Sequence, residues 1–179
     1  MLTLVIGGAS SGKSAIAENI CMSISGKKAY IATMLPFGEQ AGLRIERHLK
    51  LREGKGMDTI ECHTDISSIA LKAVDYNVLL IEDMTNLVAN EIFNPDAEPN
   101  ADHAKKIYND TLQIGQVCPE LVIVTCDVFC GGTAYEPETL EYMRCLGRLN
   151  QMLATTADRV VEVWYGLATD IKGGLNEPH

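Results

Sequence analysis

Positive charge is scarce in this chain. Its 179 residues carry fifteen lysines and arginines against twenty-four aspartates and glutamates, a formal net charge of −9. Sequence-independent nucleic-acid surfaces are basic stripes, so no nucleic-acid partner is expected, and any bound polyanion must be gripped locally. Long apolar runs are missing as well. None approaches the length of a membrane span, and the first apolar stretch is too short, and lacks the basic leader, for a secretory signal, which points to a cytoplasmic protein. In that compartment the six cysteines, Cys21, Cys62, Cys118, Cys126, Cys130 and Cys145, are expected as free thiols. Cys126 and Cys130 have no second pair at metal-ligand spacing, which favours small, mostly buried side chains over a zinc site. Aromatic residues make up only 6% of the chain. Trp164 and Tyr165 stand in an apolar stretch without basic neighbours and read as core or interface rather than as a base-stacking platform. There is no internal repeat, low-complexity tract or clear linker; residues 94–100 read as an exposed loop.

What the chain does have stands near its start. Gly7-Gly8-Ala9-Ser10-Ser11-Gly12-Lys13-Ser14 matches the phosphate-binding P-loop pattern in full. The apolar run Leu2–Ile6 leads into it, and Ser14–Ile20 continues with helix formers and apolar residues at Ile16 and Ile20. A strand must deliver such a loop and a helix must leave it, because backbone N–H groups of both loop and helix start wrap the phosphates. The glycines allow close backbone approach, Lys13 reaches the β/γ-phosphates, and Ser14 supplies a hydroxyl for Mg²⁺. A glycine-rich turn that binds nothing is the bland alternative.

Apolar runs bounded by turn signals recur at Leu2–Ile6, Ala29–Thr33, Val78–Ile81, Leu121–Thr125 and Val160–Tyr165, as buried strands of a mostly parallel sheet do. Helical stretches are expected near 13–25, 40–53, 66–74, 84–93, 102–117 and 137–156. Ala104, Ile107, Thr111 and Ile114, and then Leu140, Met143, Leu146, Leu149 and Leu153, form core-facing stripes. The alternation predicts an α/β fold of the P-loop NTPase (RecA-like) kind, doubly wound with helices on both faces, as a single nucleotide-binding domain over 1–179. Ligands then lie beyond the carboxyl ends of the strands, where Thr33, Glu82 and Asp127 sit.

Strand Val78–Ile81 runs into Glu82-Asp83, the place for a carboxylate that binds Mg²⁺ directly or through water. Asp83 could equally cap the helix that follows. Leu43–Arg52 sets His48 among Arg44, Arg47, Lys50 and Arg52 in an otherwise acidic chain. Arg44, His48 and Arg52 are spaced i, i+4, i+8 and share one side of a helix. A neutral imidazole can attack phosphorus while guanidiniums neutralise the transferred phosphate; on spacing alone, a solvated basic face is the simpler reading. His63, His103 and His179 have no partner that the sequence identifies.

Taken in order, Gly-Gly-Ala-x-Ser-Gly-Lys-Ser, Tyr30-Ile31-Ala32-Thr33, Arg44-Ile45-x-x-His48 with Arg52, Thr59-x-Glu61, Leu80-Ile81-Glu82, Gly147-Arg148-Leu149-Asn150-Gln151 and Ala157-Asp158-Arg159-Val160 resemble the bifunctional adenosylcobinamide kinase and adenosylcobinamide-phosphate guanylyltransferase family over nearly the whole chain. The resemblance implies an enzyme of adenosylcobalamin biosynthesis. It phosphorylates the aminopropanol hydroxyl of adenosylcobinamide with ATP or GTP, then transfers GMP from GTP onto the new phosphate through a GMP–histidine intermediate. His48 falls on the family's histidine. Thr33, Met34, Leu35, Leu49, Lys50, Leu51, Arg52, Glu61 and Glu82 are implied nucleotide contacts, with Mg²⁺ bridging the phosphates, and a homotrimer is implied. The chain departs from the family at Cys126–Gly132, where Asn-Glu-Val-Gly is usual, and at Met143–Leu146, which lacks an Arg-Asp pair. A small-molecule P-loop kinase without guanylyl transfer, and a nucleotide-binding regulator that turns nothing over, are the other readings of the residues themselves.

Overall fold

Alternating apolar residues build the sheet from both sides. In β1 (Leu2–Gly7), Leu2 and Leu4 face one layer and Val5 the other. The computed structural model describes residues 1–35, 54–96, 101–128 and 135–174. Within them β1 is followed by α1 (Lys13–Ser23), β2 (Lys28–Ala32) and β3 (Met57–Glu61). A 3₁₀ turn (Ile66–Ile69) then runs into α2 (Ala70–Ala73), and β4 (Val78–Ile81), α3 (Met84–Ile92) and α4 (His103–Val117) follow. The chain ends in β5 (Glu120–Cys126), α5 (Pro137–Thr156), β6 (Arg159–Trp164) and β7 (Leu167–Lys172).

The seven strands lie in the order β3-β2-β4-β5-β1-β6-β7. All neighbours are parallel except β6 and β7. The central strands are buried on both faces, as their unbroken apolar runs require. On one face Leu4, Ile31, Leu79, Ile81 and Ile123 pack with Met84, Leu87, Ile107, Ile114, Leu146 and Leu149 of α3, α4 and α5. On the other, Val5, Tyr30, Leu80, Val124, Val161 and Val163 pack with Ala17 and Cys21 of α1. The mostly parallel sheet, covered by helices on both faces, is the predicted architecture.

The differences are physical ones. β3 and β7 escape the search for apolar runs because they end the strand order, and such strands need no continuous apolar sequence: only Ile60 of β3 is buried, and β7 is exposed almost throughout. The helix expected over 66–74 is a 3₁₀ turn and a four-residue helix. Ser67 Oγ bonds to Asp65 Oδ1 at 3.2 Å, a local bond that competes with regular helix. Trp164 and Tyr165 are not core. Trp164 is 57% and Tyr165 92% exposed, and Tyr165 leaves the strand for a tight turn. The helix expected over 40–53 lies outside the described residues, as do Cys130 and His179. No helix among the described residues is long and apolar enough to cross a membrane.

Candidate active site

The P-loop occupies the connection its pattern demands, between β1 and α1. Ser10 and Gly12 are left-handed, with φ of 59° and 95°, and Ser11 N donates to Gly8 O at 3.2 Å. Such a turn points successive N–H groups into one concavity, which suits an anion. Gly7 is required by close approach, since a Cβ there would stand 2.5 Å from Val163 O and 2.6 Å from Ser11 Oγ. Over Gly8 the space is open, with nothing within 4 Å of a Cβ. Lys13 Nζ donates to Gly8 O at 3.1 Å and lies 3.7 Å from Cys126 Sγ, so the ammonium already sits over the loop. Ser11 Oγ is buried without a hydrogen-bond partner. A buried orphan hydroxyl, a concave run of N–H groups and an ammonium above open space fit a polyphosphate.

Strand order sets what stands beside the loop. β5 separates β1 from β4, so the tip of β5 meets the P-loop directly. Asp127 N donates to Gly7 O at 3.3 Å, and Asn150 of α5 braces that tip: Thr125 Oγ1 donates to Asn150 Oδ1 at 2.7 Å and Asn150 Nδ2 to Cys126 O at 3.4 Å. Burial raises the Cys126 thiol, against the pull of Lys13, so it stays a neutral neighbour. One strand further, Glu82 is buried at the end of β4. Asp83 takes up its capping role, with Oδ1 accepting from Thr85 N at 2.8 Å and from Thr85 Oγ1 at 2.6 Å.

The tips of β2, β3 and β4 are laced together. Thr33, buried, donates from Oγ1 to Asp83 O at 2.9 Å, and Cys62 N donates to Ala32 O. Asn90 of α3 donates from Nδ2 to both Thr33 O and His63 O at 2.8 Å. Glu61 ends β3 exposed, and Met34 and Leu35 follow β2. Sequence reasoning missed Asn90, which lies inside an ordinary amphipathic helix, and it missed that Asn150 and Asp158 of the C-terminal motifs are structural. Asp158 Oδ2 accepts from Leu2 N at 2.6 Å and starts β1 in register.

The predicted residues thus divide. Gly7 to Ser14 form one loop, and Thr33, Glu61 and Glu82 share the carboxyl edge of the sheet two or more strands away. His48 and Leu49 to Arg52 lie outside the described residues. Among the described residues no cluster of three acidic, histidine or cysteine side chains could hold a metal alone. Ser14, exposed at the start of α1, and Glu82, buried at the end of β4, carry oxygen donors of the type that Mg²⁺ takes.

A family model for cobinamide kinase / cobinamide phosphate guanyltransferase matches residues 3–171. The bifunctional adenosylcobalamin biosynthesis protein CobU of Salmonella typhimurium strain LT2 is 33% identical over 184 residues, 96% of this chain and 100% of that protein. The protein of the same name from Escherichia coli strain K12 is 30% identical over 185 residues, 96% and 100% of the two chains. The bifunctional adenosylcobalamin biosynthesis protein CobP of Pseudomonas aeruginosa is 25% identical over 173 residues, 97% of this chain and 98% of that protein. With its P-loop at the tip of a central parallel strand and a match that runs through nearly every element, this chain belongs to the cobinamide kinase / cobinamide phosphate guanyltransferase family.

Proposed function

We propose that the chain works as a single P-loop nucleotide-binding domain with both activities of its family, in the cytoplasm and as a homotrimer. The observation that carries the reading is the loop at Gly7–Ser14, with Lys13 held over it and the orphan hydroxyl of Ser11 inside it. In the first reaction the aminopropanol oxygen of adenosylcobinamide attacks the γ-phosphorus of ATP or GTP. The P–O bond to the β-phosphate breaks, the nucleoside diphosphate leaves, and the hydroxyl proton passes to water. Lys13 and the loop N–H groups neutralise the charge on the transferred group; Ser14 and Glu82 would hold Mg²⁺, which would offset phosphate charge.

In the second reaction a ring nitrogen of His48 attacks the α-phosphorus of GTP. A P–N bond forms and pyrophosphate departs. A phosphate oxygen of adenosylcobinamide phosphate then takes the GMP, restoring the imidazole and making adenosylcobinamide-GDP. Histidine suits this step because its phosphoramidate can form and leave near neutral pH. Thr33, Met34, Leu35, Leu49, Lys50, Leu51, Arg52, Glu61 and Glu82 contact the guanylyl donor.

Incubation with α-labelled GTP tests this reading. Acid-labile label should appear on the wild-type chain and be absent from His48→Asn, which should still phosphorylate adenosylcobinamide. Guanylyl transfer by the variant would exclude His48 as nucleophile. Equal loss of both reactions in folded protein would make it a residue that shapes a shared site.

A further inference from the structure

The helix that leaves the P-loop carries a buried carboxylate. Glu18 stands one turn beyond Ser14 in α1 and shares the buried side of that helix with Ala17 and Cys21. Among the described residues its hydrogen-bond and ion-pair partner is Lys55, whose ammonium donates to Glu18 Oε2. Lys55 lies two residues before β3, in the turn Gly54-Lys55-Gly56. The backbone is left-handed on both sides of it, with φ of 83° at Gly54 and 64° at Gly56. A Cβ at either glycine would meet nothing within 4 Å, so crowding does not demand glycine there and the backbone path does. That path brings the lysine to α1.

Stability alone does not account for the pair. Taking two charges out of water offsets most of their attraction, and buried ion pairs replaced by apolar side chains of similar volume are often no less stable. The best-attested use of such pairs is to fix the register of the segments they join. Here those segments are the P-loop helix and the chain that enters β3. In the sequence His48 precedes Lys55 by seven residues and Arg52 precedes it by three. Lys55 therefore ties the chain that follows His48 to the helix that follows the phosphate loop.

We propose that Glu18 and Lys55 are positioning residues for guanylyl transfer, a proposal that rests on the assignment of His48 as nucleophile. With the pair made, the chain between His48 and β3 is anchored on α1, whose first turn carries Lys13 and Ser14. Imidazole and bound triphosphate then share one frame. Displacing a reacting group by about 1 Å costs on the order of a hundredfold in rate. Phosphorylation of adenosylcobinamide uses Lys13 and the loop N–H groups and does not pass through His48, so it is independent of this anchor.

The test compares the two reactions in one protein. The double variant Glu18→Met, Lys55→Met removes both charges and keeps side-chain volume, so its melting temperature should not fall. At saturating α-labelled GTP, labelling of the chain should slow roughly ten- to a hundredfold. Phosphorylation of adenosylcobinamide should be unchanged, and the GTP concentration for half-maximal labelling little altered, because what is lost is geometry rather than binding. Lys55→Arg, which keeps charge and reach, should retain most of the labelling rate. Gly56→Ala strains the turn and leaves both charges in place; it should slow labelling in the same selective way, and it carries the test if the double variant does not fold. Labelling at the wild-type rate in the folded double variant would overturn the proposal and leave the pair purely structural. Equal slowing of both reactions would also overturn it, since the pair would then act on the P-loop itself. Label that persists in His48→Asn would instead overturn the assignment of His48 on which the proposal rests.

Discussion

At the scale of single residues, Lys13 and Glu82 are the sharpest probes because each offers charge without being part of the apolar core. Lys13→Ala removes the ammonium above Gly8 but no buried packing, so the protein should fold while nucleotide-dependent turnover falls by orders of magnitude. Steady-state kinetics beside a thermal melt check both halves, and near-normal turnover would remove the P-loop from the mechanism. Glu82→Gln keeps shape and deletes charge. Activity should become more demanding of Mg²⁺, with the apparent Mg²⁺ requirement shifted upward and the melting temperature little changed. An unfolded variant with full activity per folded molecule would instead make Glu82 a structural carboxylate. Asp83 teaches the reverse lesson, since it is acidic and adjacent but spends Oδ1 on capping α3.

At the scale of elements, what matters is how strand tips are held. β5 carries Cys126 and Asp127 against the P-loop, and its tip is fixed by the buried pair Thr125 and Asn150. Thr125→Val preserves volume but leaves Asn150 Oδ1 without its donor. A buried acceptor stripped of its partner costs about 1–3 kcal/mol, so the urea midpoint should fall accordingly. The Michaelis constant for nucleotide should rise as well, because Asp127 N and Cys126 Sγ are in direct contact with the loop. An unchanged midpoint would show that the pair adds nothing to stability. Asn90 does the same work at the tips of β2 and β3 by donating to Thr33 O and His63 O, and Lys106 ties buried Glu91 to Asp65 and Asp110 nearby. Burial opposes the Lys106 charge, but its hydrogen bonds to Glu91 and Asp110 outweigh that and raise its pKa, so Lys106 stays charged at neutral pH.

Across the whole molecule, buried and partly buried cysteines contribute to the loss of stability at alkaline pH. Burial, then Glu18, pushes the Cys21 thiol up to about 12, and burial, then Asp102, pushes Cys145 up to about 11, from an ordinary value of 9.0. Below that value both folded and unfolded chains hold these protons. Above it the unfolded chain releases them first, so stability is complete below about pH 9 and declines as the pH rises toward 11 and beyond. Urea midpoints at pH 8, 9 and 10 should fall in that order, with a shallower fall in Cys145→Ser. A flat profile would mean that these thiols ionise as easily in the folded chain as in the unfolded one.

Local chemistry made part of this protein legible in its residues alone. The P-loop is a contiguous set whose spacing carries its own geometry, so its strand, turn and helix could be read without tertiary information. The buried strands announced themselves by unbroken apolar runs, and Asp83 by its place before a helix. The ordered short motifs carried the family. Tertiary structure decided the rest, because it turns on which distant segments become neighbours. Edge strands β3 and β7 are defined by pairing rather than by composition. Asn90 looks like any polar residue of an amphipathic helix until two strand tips converge on it. Trp164 and Tyr165 read as core or interface aromatics because they stand in an apolar stretch; the tight hairpin, with Gly166 N bonded to Ser11 O, excludes the core and turns them outward. A residue's type limits what it can bind, but whether it meets a ligand depends on the backbone path that brings it there.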